Sequence, residues 1–219
     1  MELPRPKLGQ PISELSTPLP LIDERKLATN IERVQAYMDS HGLAFRPHIK
    51  THKIPAIAAE QVKAGAKGIN CQKITEAEVF ADAGFEDLLI TFNILGSEKH
   101  KRLIDLNARI SGLKVVADSE TTVRGLSCAF SQTRPLTVLV ECDTGGGRCG
   151  VQSPDEAVAL AETITAAPGL TFGGILTYPK AETEEAVEAF FAATLAGRFD
   201  WDRNGRPEYL RQAAIQHRA

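Results

Sequence analysis

Long hydrophobic runs are missing from this sequence of 219 residues. No apolar stretch approaches the roughly 20 residues that a helix needs to span a bilayer. The N-terminal segment MELPRPKLGQP also lacks the apolar core of a secretory signal. These absences argue against a membrane partner and predict a cytoplasmic protein.

A strong charge of one sign is missing as well, since 25 basic residues against 28 acidic residues give a net charge of −3. Proteins that bind nucleic acid usually carry a basic surface, so no nucleic acid partner is predicted. The cysteines at positions 71, 128, 142 and 149 show no CxxC spacing. This spacing disfavours a disulfide scaffold or a zinc ribbon and fits reduced thiols in a cytoplasm.

Apolar residues make up 43% of the chain, which is enough for a substantial core. Short runs rich in Val, Ile, Leu and Phe alternate with amphipathic stretches, as in parallel strands covered on both faces. The strands predicted from these runs cover residues 43–49, 68–72, 87–92, 113–117, 136–141 and 171–177. The alternation predicts an α/β fold with a closed or doubly wound parallel sheet.

Several helices have readable start signals. A helix over residues 24–40 carries an apolar stripe that we interpret as packing, and Pro55 suits the first turn of the next helix. Thr75 with Glu78 predicts a capping box, and Ser153 begins a similar signal. A last helix is predicted over residues 184–196.

The segment FRPHIKTHK, residues 45–53, concentrates nitrogen bases around Lys50. Partial burial and neighbouring cations both favour the uncharged, nucleophilic form of a lysine amine. Such an amine can condense with an aldehyde cofactor, and pyridoxal phosphate is the common one. The alternative interpretation is a solvated basic turn formed by the same residues.

Four motifs in order resemble the D-threonine aldolase and D-serine dehydratase family, whose first domain is an alanine-racemase-like barrel that binds pyridoxal 5'-phosphate (PLP). They are the lysine motif at 45–53, GINCQKITEAE at 68–78, GGGRCGV at 145–151 and GILTY at 174–178. The resemblance covers roughly residues 17 to 180. It implies a (β/α)8 TIM-barrel type of α/β fold with the cofactor on the lysine.

The resemblance also implies site residues. Lys50 is the Schiff-base lysine and a base for the substrate proton, and His48, on the same strand face, tunes its amine or is a packed histidine. Arg148 hydrogen-bonds the cofactor ring, Tyr178 contacts that ring, and Gln72 either contacts it or braces Lys50. Arg46 shares the inward parity of Lys50 and is expected to need an anionic partner.

A complete barrel has eight β/α units, and only about six can be placed in this sequence. We therefore expect residues 1–219 to form a partial PLP-binding barrel domain, with the C-terminal β domain of the family absent. A divalent metal is expected only in the full-length family member, and no metal ligands are predicted here. Open strand edges and a missing phosphate loop predict weak cofactor binding and leave room for a homodimer.

The reaction implied by the resemblance is PLP-dependent lyase chemistry on D-3-hydroxy amino acids, with a small D-amino acid as the substrate. Retro-aldol cleavage of the D-threonine aldolase type is favoured. D-serine dehydratase-like and racemase activities remain alternatives, because the bond that stands perpendicular to the cofactor ring decides which one breaks. A non-catalytic PLP-binding protein and an inactive fragment are further alternatives.

Overall fold

The computed structural model describes residues 6–178. A 3₁₀ turn at Ile12–Glu14 precedes the regular elements. In chain order these are α1 Glu24–Ser40, α2 Pro55–Ala64, β1 Ile69–Cys71, α3 Ile74–Asp82, β2 Asp87–Ile90, α4 Ser97–Arg109, β3 Gly112–Ala117, α5 Glu120–Ala129, β4 Leu136–Cys142, α6 Pro154–Ala166 and β5 Leu170–Thr177. The helix predicted over 184–196 lies outside the described residues.

The five described strands form one sheet in the order β1-β2-β3-β4-β5, and every neighbouring pair is parallel. A helix connects each strand to the next, as parallel pairing requires. The described part is therefore a partial β/α barrel, and the predicted cadence of strands and helices is confirmed.

The first predicted strand, residues 43–49, is wrong as a regular strand. His48 forms only an isolated parallel bridge with Asn70. The backbone N–H of Asn70 donates to the carbonyl of Pro47 at 2.8 Å, and the N–H of Ile49 donates to the carbonyl of Asn70 at 3.0 Å. Pro47 has no N–H of its own, so the ladder is interrupted beside it. The segment still runs along β1 and delivers Lys50 to the end of the sheet.

Of two helix starts predicted from capping signals, the structure confirms one and contradicts the other. Ser153 accepts a hydrogen bond from the backbone N–H of Glu156 at 3.2 Å, which confirms the predicted start of α6. The capping box at Thr75 is wrong, because α3 begins at Ile74 and its N-cap residue makes no side-chain cap. Glu76 instead accepts the backbone N–H of Gln72 at 2.8 Å, one residue before the cap.

Strand side chains divide between two faces, as alternation requires. The outer face packs against the helices in a large apolar cluster that includes Leu88, Val115 and Val138. The inner face carries a smaller apolar layer made of Leu89, Val116, Leu139 and the partly buried Leu176. Inward-pointing layers of this kind fill the interior of a β/α barrel.

A charged cluster lies below this layer, at the N-terminal ends of the strands. Asp87 accepts from Arg46 Nη2 at 2.8 Å and from Lys114 Nζ at 2.6 Å. The anionic partner predicted for the inward Arg46 is thus confirmed as Asp87. These two cations hold the pKa of Asp87 below its usual range, although burial of the carboxyl opposes them.

The helices of the described range include none that combines the length and the apolar character needed to cross a membrane. The stripe predicted on α1 is only partly covered there, because Val34 remains exposed and Gln35 is the buried residue of the helix.

Candidate active site

Lys50 lies directly after the segment that pairs with β1, at the C-terminal end of the sheet. A backbone hydrogen bond of 2.8 Å from Lys53 N–H to the Ile49 carbonyl closes the turn around it. Lys53 adopts a φ of 54°, which is unusual for a residue other than glycine. Catalytic groups of β/α barrels lie at this end of the strands.

His48 fixes the N-terminal side of this lysine turn. The Lys50 backbone N–H donates to His48 Nδ1 at 3.2 Å, so Nδ1 is an acceptor and the ring proton belongs on Nε2. His48 Nε2 lies 3.1 Å from Thr91 Oγ1, which in turn donates to the Cys71 carbonyl at 3.3 Å. Burial and then the Lys50 charge lower the pKa of His48, which agrees with a neutral ring.

His52 repeats the arrangement on the other side of the turn. The Ile54 backbone N–H donates to His52 Nδ1 at 3.0 Å, and Ile54 is the N-cap residue of α2. Burial lowers the pKa of His52. This bond places His52 at the start of α2. Lys50 thus lies between two neutral histidines. The Nδ1 atom of each histidine accepts the backbone N–H of the residue two positions ahead.

Arg148 projects from a tight turn that Asp143 organises. One carboxylate oxygen of Asp143 accepts the backbone N–H groups of Gly145, Gly146 and Gly147 at 3.0, 2.7 and 3.1 Å. Gly145 and Gly147 have φ angles of 100° and 61°, which side chains rarely adopt. This turn leaves the Arg148 side chain exposed.

Tyr178, at the end of β5, is where the lysine turn and the arginine turn meet. Lys50 Nζ lies 5.1 Å from the centroid of the Tyr178 ring, and Arg148 Cζ lies 5.2 Å from the same centroid. Both distances suit cation–π contact. Tyr178 is 60% exposed, which leaves room at its ring for a ligand. Three of the four motifs that the sequence singled out thus converge on one aromatic ring.

The remaining candidates lie around this centre. The Gln72 side chain lies beside His48, where its hydrogen bond favours the protonated imidazole. Asn93, which follows β2, accepts the Asp118 backbone N–H at 3.2 Å. Burial and Glu141 raise the pKa of the Cys149 thiol, so this cysteine is not activated.

Sequence reasoning missed three side chains near the centre, namely Thr91, Asp118 and Glu141. Thr91 bonds His48 as described above. The signal for Glu141 was its inward parity on the strand predicted over 136–141, and Asp118 directly follows the strand predicted over 113–117. A buried carboxyl on the inner face of a barrel strand is uncommon enough to mark a site.

The described residues fit an aromatic aldehyde cofactor. They offer a primary amine, an exposed aromatic face and a guanidinium within one small region, and the histidine bonds hold the lysine backbone in place. Among residues 6–178, no cluster of three or more His, Cys, Asp or Glu side chains could hold a metal ion.

The chain was compared with known families and structures. Residues 22–215 match the family model described as "Alanine racemase, N-terminal domain". D-threonine aldolase from an Arthrobacter species is 38% identical over 171 residues, which cover 78% of this chain and 45% of that protein. D-threo-3-hydroxyaspartate dehydratase from a Delftia strain is 35% identical over 190 residues, which cover 84% of this chain and 50% of that protein.

Among solved structures, D-threonine aldolase from Filomicrobium marinum superposes with a TM-score of 0.81 at 34% identity. The match covers 90% of this chain and 56% of that structure. The chain spans about half the length of the relatives it matches. The alanine-racemase-like fold and the resemblance drawn from the sequence motifs are therefore confirmed. On these matches, the chain belongs to the alanine racemase N-terminal domain family, in which its relatives include D-threonine aldolase and D-threo-3-hydroxyaspartate dehydratase.

Proposed function

We propose that this chain carries the PLP-binding part of a lyase for D-3-hydroxy amino acids, and that the reaction is aldol cleavage of the D-threonine aldolase type. The observation that carries the proposal is the convergence of Lys50 and Arg148 on the Tyr178 ring. The relatives named above support the substrate class, since D-threonine and D-threo-3-hydroxyaspartate both carry a hydroxyl on the β-carbon.

In this proposal Lys50 is the residue that would hold the cofactor covalently, its amine condensing with the cofactor aldehyde with loss of water. Tyr178 would contact the cofactor ring, and Arg148 would hydrogen-bond a heteroatom of that ring. When bound, PLP withdraws electrons from the substrate α-carbon and so weakens the bonds around it.

The lysine turn determines what Lys50 can do after the substrate amine takes its place. The freed amine stays within reach of the same region, because the Lys50 backbone is held by its bond to His48 and lies in the turn that the bond from Lys53 N–H to the Ile49 carbonyl closes. It can then accept a proton from the substrate and return it to the product. His48 Nδ1 already accepts a backbone N–H, so His48 acts on this amine through its position and its dipole. Gln72 braces His48 in this scheme.

A dehydratase is the second candidate. The similarity to the Delftia dehydratase favours it. The outcome depends on which substrate bond is held perpendicular to the cofactor ring. A divalent metal that binds the substrate hydroxyl would contribute to that choice.

The first experiment tests the cofactor bond. The 219-residue chain is incubated with PLP, reduced with borohydride and digested, and the modified peptide is mapped by mass spectrometry. We expect the label on Lys50. Lys114 is an internal control, because it is paired with Asp87 at the other end of the sheet. A label that is absent from Lys50, or equally present on Lys114, would contradict the proposal.

The second experiment tests the reaction. D-Threonine is supplied with and without a divalent metal, and the products are separated. Aldol cleavage yields glycine and acetaldehyde, whereas dehydration yields 2-oxobutanoate and ammonia. We expect glycine and acetaldehyde. Predominance of the 2-oxo acid would select the dehydratase, and labelled Lys50 without either product would support a non-catalytic PLP-binding protein.

A further inference from the structure

Glu141 is a buried carboxyl that the proposed function does not use. It lies on β4 two residues after Leu139, so its side chain shares the inner face of the sheet with the apolar layer. The strand register places it beside Leu176 of β5. Glu141 is only 5% exposed. It therefore stands at the top of the apolar layer, at the end of the barrel where Lys50 and Tyr178 lie.

The burial of this carboxyl is not compensated within the described residues. Glu141 Oε2 is enclosed and has no hydrogen-bond partner there. A buried carboxylate without partners is costly, and proteins pair such groups or keep them neutral. Asp143, two residues along the chain, shows the contrast, because one of its oxygens accepts three backbone N–H groups. An unpartnered oxygen facing a candidate site indicates a contact made in another state of the site.

The surrounding charges identify that contact. Asp118 faces Glu141 from the end of β3 and repels it, while Arg148 attracts it from the loop after β4. β5 presents the apolar Leu176. The Cys142 and Cys149 thiols lie close enough for Glu141 to raise their pKa values. Burial first, and then Asp118, raise the pKa of Glu141 to about 7 against the opposing effect of Arg148.

We propose that Glu141 is a positioning residue for Arg148: the ionised carboxylate accepts a hydrogen bond from the guanidinium and draws it towards the barrel interior, and the protonated carboxyl releases it. The exposed side chain of Arg148 is free to make this movement from its glycine turn. Arg148 is then held where it can meet the cofactor ring, which links this inference to the proposed function. In this way the protonation of Glu141 near neutral pH controls where the Arg148 guanidinium lies.

The coupling is tested without cofactor or activity. Glutamate labelled with ¹³C in the side-chain carboxyl is incorporated, and the Glu141 signal is identified by its loss in Glu141→Gln. We expect a titration near neutral pH in the unmodified chain. It should move to higher pH in Arg148→Gln, which removes the attracting cation, and to lower pH in Asp118→Asn, which removes the repelling anion. An unmoved titration in Arg148→Gln would overturn the proposal.

Cofactor affinity gives a second readout. A hydrogen bond between charged groups corresponds to about a tenfold change in binding. We expect Glu141→Gln to bind PLP about tenfold more weakly than the unmodified chain at pH 8 and equally at pH 5.5. Glu162→Gln, on the exposed side of α6, is the matched control and should change neither value. If Glu141→Gln binds PLP as tightly as the unmodified chain at both pH 8 and pH 5.5, the proposal is overturned.

The two proposals fail separately. If Lys50 carries no label after borohydride reduction, the proposal that this chain binds PLP through Lys50 is wrong. The titration of Glu141 can still be measured and interpreted in that case. An unmoved titration with Lys50 labelled would remove the Arg148 contact but leave the lyase proposal standing.

Discussion

The two ends of the barrel interior handle charge in opposite ways. At the N-terminal ends of the strands, Asp87 pairs with both Arg46 and Lys114. At the C-terminal ends, Lys50 forms no salt bridge with any residue of the described range, and Glu141 has an oxygen without a partner there. One end satisfies its charges internally, which favours stability. The other leaves polar groups to be satisfied by a ligand, as functional sites do.

The paired end should lose the most stability when its common anion is removed. We expect Asp87→Asn to lower the free energy of unfolding by about 2–3 kcal/mol, because Arg46 and Lys114 are left facing each other. The cost is below that of a fully buried pair, since Asp87 retains 35% of its side-chain exposure. Urea denaturation at pH 7 measures it.

The control for this change is Asp82→Asn, which breaks the ion pair of Asp82 with Arg109. Asp82 is 69% exposed, so a loss below about 0.5 kcal/mol is expected. The Asp87 effect should also shrink in acid. The pKa of Asp87 is lowered in the folded protein, so the stability it provides is lost as pH falls below its ordinary value. Equal losses in the two variants would remove the contrast between the barrel ends.

The same end can be disturbed without touching a charge. A Cβ added at Gly68 would lie 2.2 Å from Arg46 Nη1 and 2.6 Å from the Asp87 carbonyl oxygen. Gly68→Ala should therefore displace Arg46 and cost about 2 kcal/mol by urea denaturation. Gly146→Ala, at the open end, is the comparison, because its nearest atom would be 3.6 Å away. A larger loss at Gly146 than at Gly68 would contradict this account.

The paired end and the sheet were largely predictable from the sequence. The strands are short, apolar and separated by helical stretches, so alternation was enough to locate β1 through β5. The errors arose where one residue overrides a pattern. Pro47 interrupts a ladder that its apolar neighbours indicated, and Thr75 matches a capping motif inside a helix that had already begun.

The open end was predictable only in part. Lys50, Arg148 and Tyr178 lie in motifs at the ends of strands, and their convergence follows from parallel order. Thr91 and Glu141 could not be assigned in the same way. Their importance depends on which atoms meet across neighbouring strands, namely the Thr91 contact with His48 and the enclosed oxygen of Glu141. Sequence spacing gives the parity of a side chain but not its partners.

At the open end, removal of a charge should stabilise the fold. The pKa of Glu141 is raised from 4.5 to about 7, so the folded state holds its proton to higher pH than the unfolded chain. Stability is therefore lost as pH rises from 4.5 to 7. Glu141→Gln avoids this loss and should be more stable than the unmodified chain by about 1.5 kcal/mol at pH 8, after solvent screening is allowed for.

Thermal or urea unfolding at pH 8 and at pH 4 measures this difference, which should vanish at the lower pH. Asp87→Asn serves as the opposing case, because it should be destabilised at pH 8. If Glu141→Gln is destabilised at pH 8 as well, ionisation of Glu141 stabilises the fold as it does at Asp87, and the two ends of the barrel do not differ.

The smallest effect is expected at the lysine turn, where His48 accepts the Lys50 backbone N–H. His48→Leu removes this bond and should cost about 1 kcal/mol in urea denaturation. His48→Asn keeps an acceptor for the N–H two residues ahead, as asparagine does in turns, and should recover most of the loss.

The pKa of His48 is lowered in the folded protein, so the unmodified chain should lose stability as pH falls below 6.5, where the unfolded chain takes up the proton. His48→Asn has no ring to protonate and should lose less over that range. Equal acid sensitivity of the two proteins would show that the neutral histidine does not hold the turn, and that the backbone bond from Lys53 to Ile49 is sufficient to fix Lys50.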